Sequence, residues 1–432
     1  MPPSVWLCRL LLALILVTGS AALPRAQEAF EGIAGNPGAV NVQAGSGEAG
    51  RLLGLPPDSG IRLGGVLVSN ANYLASGGNN SGMASFNNLL DVGLDVDLDR
   101  LFHIPGASFG ADMLRFDGQP SNQQAGLVTG YNGLTGPPPL DRTELYQLWW
   151  RQSFFADKLA VRFGKLVPTY DFGNVVRPVP VQQEAALQIP AVSGLIYTPL
   201  FVNPTILGAL PGYYNSAYGV TITIAPTRRF YTSIGIYDGN GARGTQTGLQ
   251  TTPVFNGYRF QIGEAGIAWL LGSRHLPGTF SVGVWDQTGR LLALEPKAII
   301  TQDETHGAYL FGSQRLWRGR KGDTGRGVSG FMQLGINDSR TMLATRYVGA
   351  GMTAFRLIPG RPLDSFGAGL ALSWLNRRLG FRKTEALLQF YDQLHVIGDV
   401  YLQPAVTLSP EPGEKTATGP AVAFTIQSTI LF

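Results

Sequence analysis

The final stretch of the chain, Ala421 to Phe432, reads AVAFTIQSTILF and limits what the rest can fold into. Val422, Phe424, Ile426, Ile430 and Phe432 are apolar, while Ala423, Thr425, Gln427 and Thr429 are small or polar. Successive side chains of a strand point to opposite faces. The stretch therefore reads as a strand with one apolar face, ending in an aromatic ring, and one hydrophilic face. In a soluble sandwich the apolar face would lie against a second sheet. In a membrane barrel it would meet lipid while the other face lines water. The rest of the chain decides between the two.

Charged residues make up 14% of the 432 residues, against roughly 25% in soluble globular domains. Past the N-terminal leader no run approaches the roughly 18 apolar residues of a membrane helix, so any insertion must be as a barrel. The net charge of +4 is small, and the RGRKG cluster at Arg318 to Gly322 is isolated, so nucleic acid is not an expected partner. The N-terminus, MPPSVWLCRLLLALILVTGSAALPRAQ, has Arg9 before an apolar run and then small residues, the pattern of a secretory signal peptide over residues 1–26. Ala22 and Ala26 are the candidate cleavage sites. The single cysteine, Cys8, falls in that leader, so the exported chain would have no disulfides. Residues 27–60 are rich in Gly, Ala and Pro and lack periodicity. They read as a flexible N-terminal extension.

From residue 61 to 432 the chain is one β domain of alternating segments broken by turns. In LLDVGLDVDLDRL, Leu90, Val92, Leu94 and Val96 alternate with Asp91, Gly93, Asp95 and Asp97. In KLAVRFGKL, Leu159, Val161 and Phe163 alternate with Ala160, Arg162 and Gly164. About 16 strands are expected, joined mostly by alternating long and short connections, with the stretch Thr288 to Thr305 read as a loop. That layout predicts an all-β transmembrane antiparallel barrel with short periplasmic turns, longer outer loops and both termini in the periplasm. The longest connection, Val167 to Ala217, is expected to fold into the bore, since structureless stretches of that size are uncommon unless functional.

The run ELYQLWWRQSFFADKLAVRFGKLVPTYDFG, Glu144 to Gly173, resembles the carbohydrate-selective porins of the OprB family, through Gln147, Trp149 or Trp150, Gln152, Phe154, Asp157, Leu159, Arg162, Gly164, Lys165, Leu166, Asp171 and Phe172. A second block, EALLQFYDQLHVIGDVYLQPAVTLSPEPG, is similar to that family's C-terminal motif, with Gln389 in place of its second Glu and Ala405 in place of its Asp after L-Q-P. A terminal alternating strand ending in Phe also looks like the assembly signal of bacterial outer-membrane barrels. The resemblance implies passive, carbohydrate-selective diffusion of small solutes across a Gram-negative outer membrane. A general or anion-preferring porin, and a plugged structural or adhesion barrel, are the alternatives. The partners implied are small hydrophilic solutes of the sugar class and outer-membrane lipids, as a monomer or homotrimer.

Enzymatic readings find little support. The four histidines, His103, His275, His306 and His395, fall in turns or at strand ends with no Ser partner in a recognisable pattern. No Cys or His cluster has metal-ligand spacing, and GNGARG at Gly239 to Gly244 follows a strand into a loop. No cofactor is expected. A solute path needs polar inward groups. By alternation these are Asp95, Asp97, Arg162 and Arg259. The long connection adds Asp171 and Arg177. Tyr213 and Tyr214 are candidate sugar-stacking rings, whereas Trp149, Trp150, Trp269 and Trp374 read as an aromatic girdle at the membrane interface.

Overall fold

A computed structural model describes residues 47–56, 58–135, 140–173, 175, 194–210, 215–240, 247–294, 299–319 and 326–432. The leader, most of the extension, Arg177, Tyr213, Tyr214 and part of the RGRKG turn lie outside the described residues. Sixteen strands follow one another: β1 (Ile61–Ser76), β2 (Ala84–Asp97), β3 (Ala107–Gly118), β4 (Arg142–Phe154), β5 (Leu159–Leu166), β6 (Ala217–Thr227), β7 (Phe230–Asp238), β8 (Arg259–Leu271), β9 (Leu276–Leu294), β10 (Ile299–Arg318), β11 (Gly327–Asn337), β12 (Ala344–Phe355), β13 (Ser365–Leu375), β14 (Thr384–Ile397), β15 (Val400–Ser409) and β16 (Ala421–Leu431). Each pairs antiparallel with its sequence neighbours, and β16 closes the ring on β1. Closure removes every free edge, as hydrocarbon requires. At the seam the backbones of Gly65 and Phe432 exchange hydrogen bonds of 2.7 and 3.0 Å. Only glycine fits there, because a Cβ on Gly65 would come within 2.2 Å of the Asp91 carbonyl oxygen and 2.8 Å of the Phe432 ring.

The two faces divide as the alternation predicts. In β16, Phe424 and Ile426 point out and are 46% and 52% exposed, whereas Ala423, Thr425, Gln427 and Thr429 are buried inside. In β6, Ile222 faces out opposite Val161 and Ile234. The inner face is dominated by small polar and amide side chains, among them Asn70, Asn72, Asn87, Gln333, Gln389, Gln393, Gln403 and Thr407. Water and inner-loop backbone can satisfy such groups and lipid cannot.

Both described chain ends lie at the rim that carries the short connections, such as those at residues 228–229 and 398–399. The long connections, residues 119–141, 167–216 and 239–258, leave the other rim. Two expectations change. The stretch from Thr288 to Thr305 is not a loop: Thr288 pairs with Glu304 and Leu294 with Ile299, so β9 and β10 run on as a two-stranded ribbon beyond the ends of β8 and β11. The ladder between them continues because each strand still offers an extended partner. Near the N-terminus, Glu48–Leu52 forms a helical turn whose buried Gly50 lies against the backbone of Leu63 on β1.

Replacing Ile222 or Ile426 by Arg puts a charge in lipid and is expected to cost about 2–4 kcal/mol near the bilayer centre, while Leu at either site should cost about 1 kcal/mol or less. Urea unfolding of vesicle-inserted protein measures both. Equal costs for Arg and Leu would mean that these faces do not meet lipid.

Candidate functional site

Two long connections turn into the barrel, and inward side chains of the wall hold them there. The first, residues 119–141, is pinned by Glu385 of β14. Its carboxylate accepts from the Val128 and Thr129 amides at 2.7 and 2.8 Å, from the Thr129 hydroxyl, and from the Gly413 amide at 2.9 Å. Asn132, buried at the far end of the same segment, accepts from Asn70 of β1 and donates to Asn87 of β2, both at 2.9 Å.

The second connection leaves β5, returns to β6, and docks on the opposite wall. In ring order β13 lies eight strands from β5, half of the circuit, so the segment crosses the bore. Gln403 of β15 donates to the Gly194 carbonyl, and Gln389 of β14 accepts from the Ile196 amide at 2.7 Å. Gln333 of β11 donates to the Leu200 carbonyl at 3.2 Å, and Asn203 donates back to the Leu334 carbonyl at 2.9 Å. Leu195, Ile196, Tyr197, Leu200 and Val202 are buried in this contact. Gly369 of β13 leaves the recess: a Cβ there would come within 2.3 Å of Leu195 and 2.5 Å of the Tyr197 hydroxyl. Burial in these segments pushes the Tyr131 hydroxyl up to about 12 and raises that of Tyr197 further, so both remain neutral hydrogen-bonding groups at any physiological pH.

At its root the crossing segment is fastened by charge. Asp171 accepts from Arg162 of β5 at 2.6 Å and from the Thr221 hydroxyl of β6 at 2.9 Å. The Arg162 guanidinium lies over the inward ring of Trp149, 5.6 Å from its centroid. The Gly173 amide donates to Glu264 of β8 at 2.8 Å, which also accepts from the Tyr231 and Tyr309 hydroxyls at 2.5 and 2.7 Å. Phe172 packs edge-on against Tyr237, beside Phe260 and Trp285. Asp95 lies in the fields of both Arg62 and Arg162, and Arg151 lies beside Asp157 and Arg162. The wall from β1 to β5 thus alternates Arg62, Arg151 and Arg162 with Asp95, Asp157 and Asp171. The Arg162 and Asp171 side chains keep 12% and 20% of their surface accessible. Such paired charges bind hydroxyls by charge-assisted hydrogen bonds without strongly favouring either ion sign.

Of the residues singled out from the sequence, Asp95, Arg162 and Asp171 are brought together here. Asp97 is used elsewhere: its carboxylate accepts from the Arg100 amide at 3.0 Å and caps the helix Leu98–Phe102 in a short turn. Arg259 requires a correction. It is exposed on the outer face of β8, because Phe260 and Ile262 turn inward onto Tyr237 and Trp285. The inner segment excludes water from that wall, so apolar residues take the lumen side and the polar phase inverts. Trp149 likewise faces in rather than joining a girdle. Thr221 on the inward phase of β6 is buried, bonded to Asp171 and Tyr237.

Sequence reasoning passed over the docking residues Glu385, Gln389, Gln403, Gln333 and Asn132. The available signal was that the first three sit on the polar phase of β14 and β15, within the C-terminal motif block. The fold also gathers Asp286, Glu304 and His306 at the outer end of β9 and β10, where their ligand atoms lie within 4.8 Å of one another. His306 is 3.3 Å from Asp286 within the cluster and 3.2 Å from Asp338 outside it, so each ring nitrogen has a carboxylate neighbour.

A family model for carbohydrate-selective porins of the OprB family matches residues 83–432. Porin B of Pseudomonas aeruginosa is 23% identical over 306 residues, which are 66% of this chain and 63% of that protein, so the match spans less than two thirds of the relative's length. Among solved structures, Pseudomonas putida OprB at high pH superposes with a TM-score of 0.74 at 18% identity, covering 89% of this chain and 96% of that one. The same protein at low pH superposes with a TM-score of 0.55 at 16% identity. At these identities the structural likeness speaks for the fold.

Exchanging Glu385 for Ala removes the acceptor of three backbone amides and should loosen the segment from Ser121 to Gly133 by about 3 kcal/mol or more. Limited proteolysis of the folded barrel should then cut near Gln123 at least about tenfold faster than in the parent protein. An unchanged cutting rate in a folded variant would show that the other contacts suffice.

Proposed function

Because the chain belongs to the carbohydrate-selective porin family, OprB, we propose that it is an outer-membrane pore through which small sugars diffuse passively, sorted where the inner segment narrows the bore. The observation that carries this reading is the mixed-charge patch at the root of that segment, with Arg162 and Asp171 bonded to each other and partly open to the lumen. Neutral polyols exchange hydrogen bonds with such pairs at little electrostatic cost, while a small ion of either sign meets both an attractive and a repulsive neighbour. No chemical step is involved. The short turns and both chain ends face the periplasm, and residues 1–26 act as the export leader.

Within this reading the inner segment sets the bore. Shortening the chain between Tyr197 and Leu210 should raise single-channel conductance and flatten discrimination among sugars. Arg162→Ala should change the relative rates of sugars by about threefold or more with little effect on folding. Liposome swelling with sugars, amino acids and salts of matched size, together with planar-bilayer conductance, reads both. A parent protein that passes no steady current would instead be a plugged barrel. Unchanged flux after the shortening would move the sorting to the barrel wall.

A further inference from the structure

The lumen wall carries a second basic group, on the short-turn side of the crossing segment, that the constriction does not use. Arg315 of β10 pairs in register with Ser329 of β11, which pairs with Thr353 of β12, two residues before Phe355. All lie on the inward phase of their strands. Arg315 is 1% exposed, and its guanidinium lies 5.5 Å from the centroid of the Phe355 ring. Its Nε and Nη1 have no hydrogen-bond partner, and neither does the Ser329 hydroxyl, which is fully buried. The charged neighbour that acts on Arg315 is Arg318, which repels it and whose own Nε is also unpartnered. Among the described residues no carboxylate answers either cation.

A desolvated guanidinium without an acceptor is unfavourable, and a second cation beside it makes it more so. An anion supplies what both lack. The surroundings narrow the kind of anion. Phe331 is the next inward residue after Ser329 on β11, in register with Ser313, so a second aromatic ring lies two residues along the wall from the row of Arg315, and such rings suit the apolar C–H face of a sugar. Ser329 lies roughly 13 Å along β11 from Gln333, toward the short turns, and Gln333 is where the crossing segment docks. A solute that has passed the constriction therefore passes this stretch of wall before it leaves.

We propose that Arg315, with Ser329 and Arg318, forms a subsite for the carboxylate of a sugar acid, with Phe355 and Phe331 receiving its ring. This assignment rests on the reading of the barrel as a sugar pore. It adds a substrate class that the mixed-charge constriction does not select.

Planar-bilayer recordings of the full-length protein, with glucuronate, glucose and acetate as probes, test it. Glucuronate should interrupt the current at a concentration at least about threefold below that for glucose, and Arg315→Met should raise the glucuronate value about tenfold while leaving glucose within about twofold. Ser329→Ala keeps the arginine and should raise the glucuronate value by about twofold to threefold, so it carries the test if Arg315→Met does not form a heat-resistant barrel. Arg315→Lys, which keeps the charge, should retain the preference in part. Equal action of glucuronate and glucose on the parent protein would overturn the proposal. So would a folded Arg315→Met variant that leaves glucuronate unchanged, or Ser329→Ala without effect where Arg315→Met does not fold. Acetate acting as strongly as glucuronate would overturn the assignment to a sugar. Failure of the underlying pore reading looks different: glucose itself would then neither permeate liposomes nor affect the current.

Discussion

Everything in this structure depends on the pairing of β16 with β1. A sheet that crosses hydrocarbon cannot leave a row of backbone N–H and C=O groups open, because no water is present to receive them. The seam meets that requirement to its last residue, with Phe432 bonded to Gly65. Closure also sets the phase of every strand. Once the ring is joined, the residues that face lipid and those that face the lumen are determined all the way round, and a slip of one residue would exchange the two.

The lumen then faces the opposite problem. A chain segment that enters it brings polar backbone into a space where packed side chains displace water. The wall answers with long amides and one carboxylate, each reaching a backbone group of the incoming segment: Gln333, Gln389, Gln403 and Glu385. Recesses such as Gly369 let apolar side chains of that segment sink into the wall. The result is a division between two halves of the barrel. The side from β11 to β15 is a dock, where wall side chains hydrogen-bond the backbone of the crossing segment. The side from β1 to β5 keeps charged groups partly accessible, with Arg162 and Asp171 at its centre. On that second side Arg162 and Asp171 are bonded to each other and still partly open to the lumen.

The same exclusion of water accounts for the wall that departed from simple alternation. In β2 and β5 the inward phase is polar, and Asp95 and Arg162 are where their alternation puts them. In β8 the inward phase is Phe260 and Ile262, packed with Tyr237, Trp285 and Phe172. A rule that equates polar with inward holds where the lumen is wet. It fails where an inner segment makes the lumen side a dry interface, and Arg259 is the residue that shows it.

The sequence by itself determined the β class, a strand number close to the one observed, the closing strand and the lipid-facing phase of β6 and β16. These follow from a period of two residues, which is a local property of an extended chain in contact with a one-sided apolar medium. It also placed Asp95, Arg162 and Asp171 among the groups of the bore, because two of them lie on cleanly alternating strands and the third follows closely after β5. Only the tertiary structure decided which wall receives the crossing segment, that Asp97 caps a turn, that β8 is inverted, and that Asp286, Glu304 and His306 meet. Each of these depends on the register around a closed ring, which brings together residues far apart in the chain, and on where packing removes water. Neither quantity is carried by a short stretch of residues.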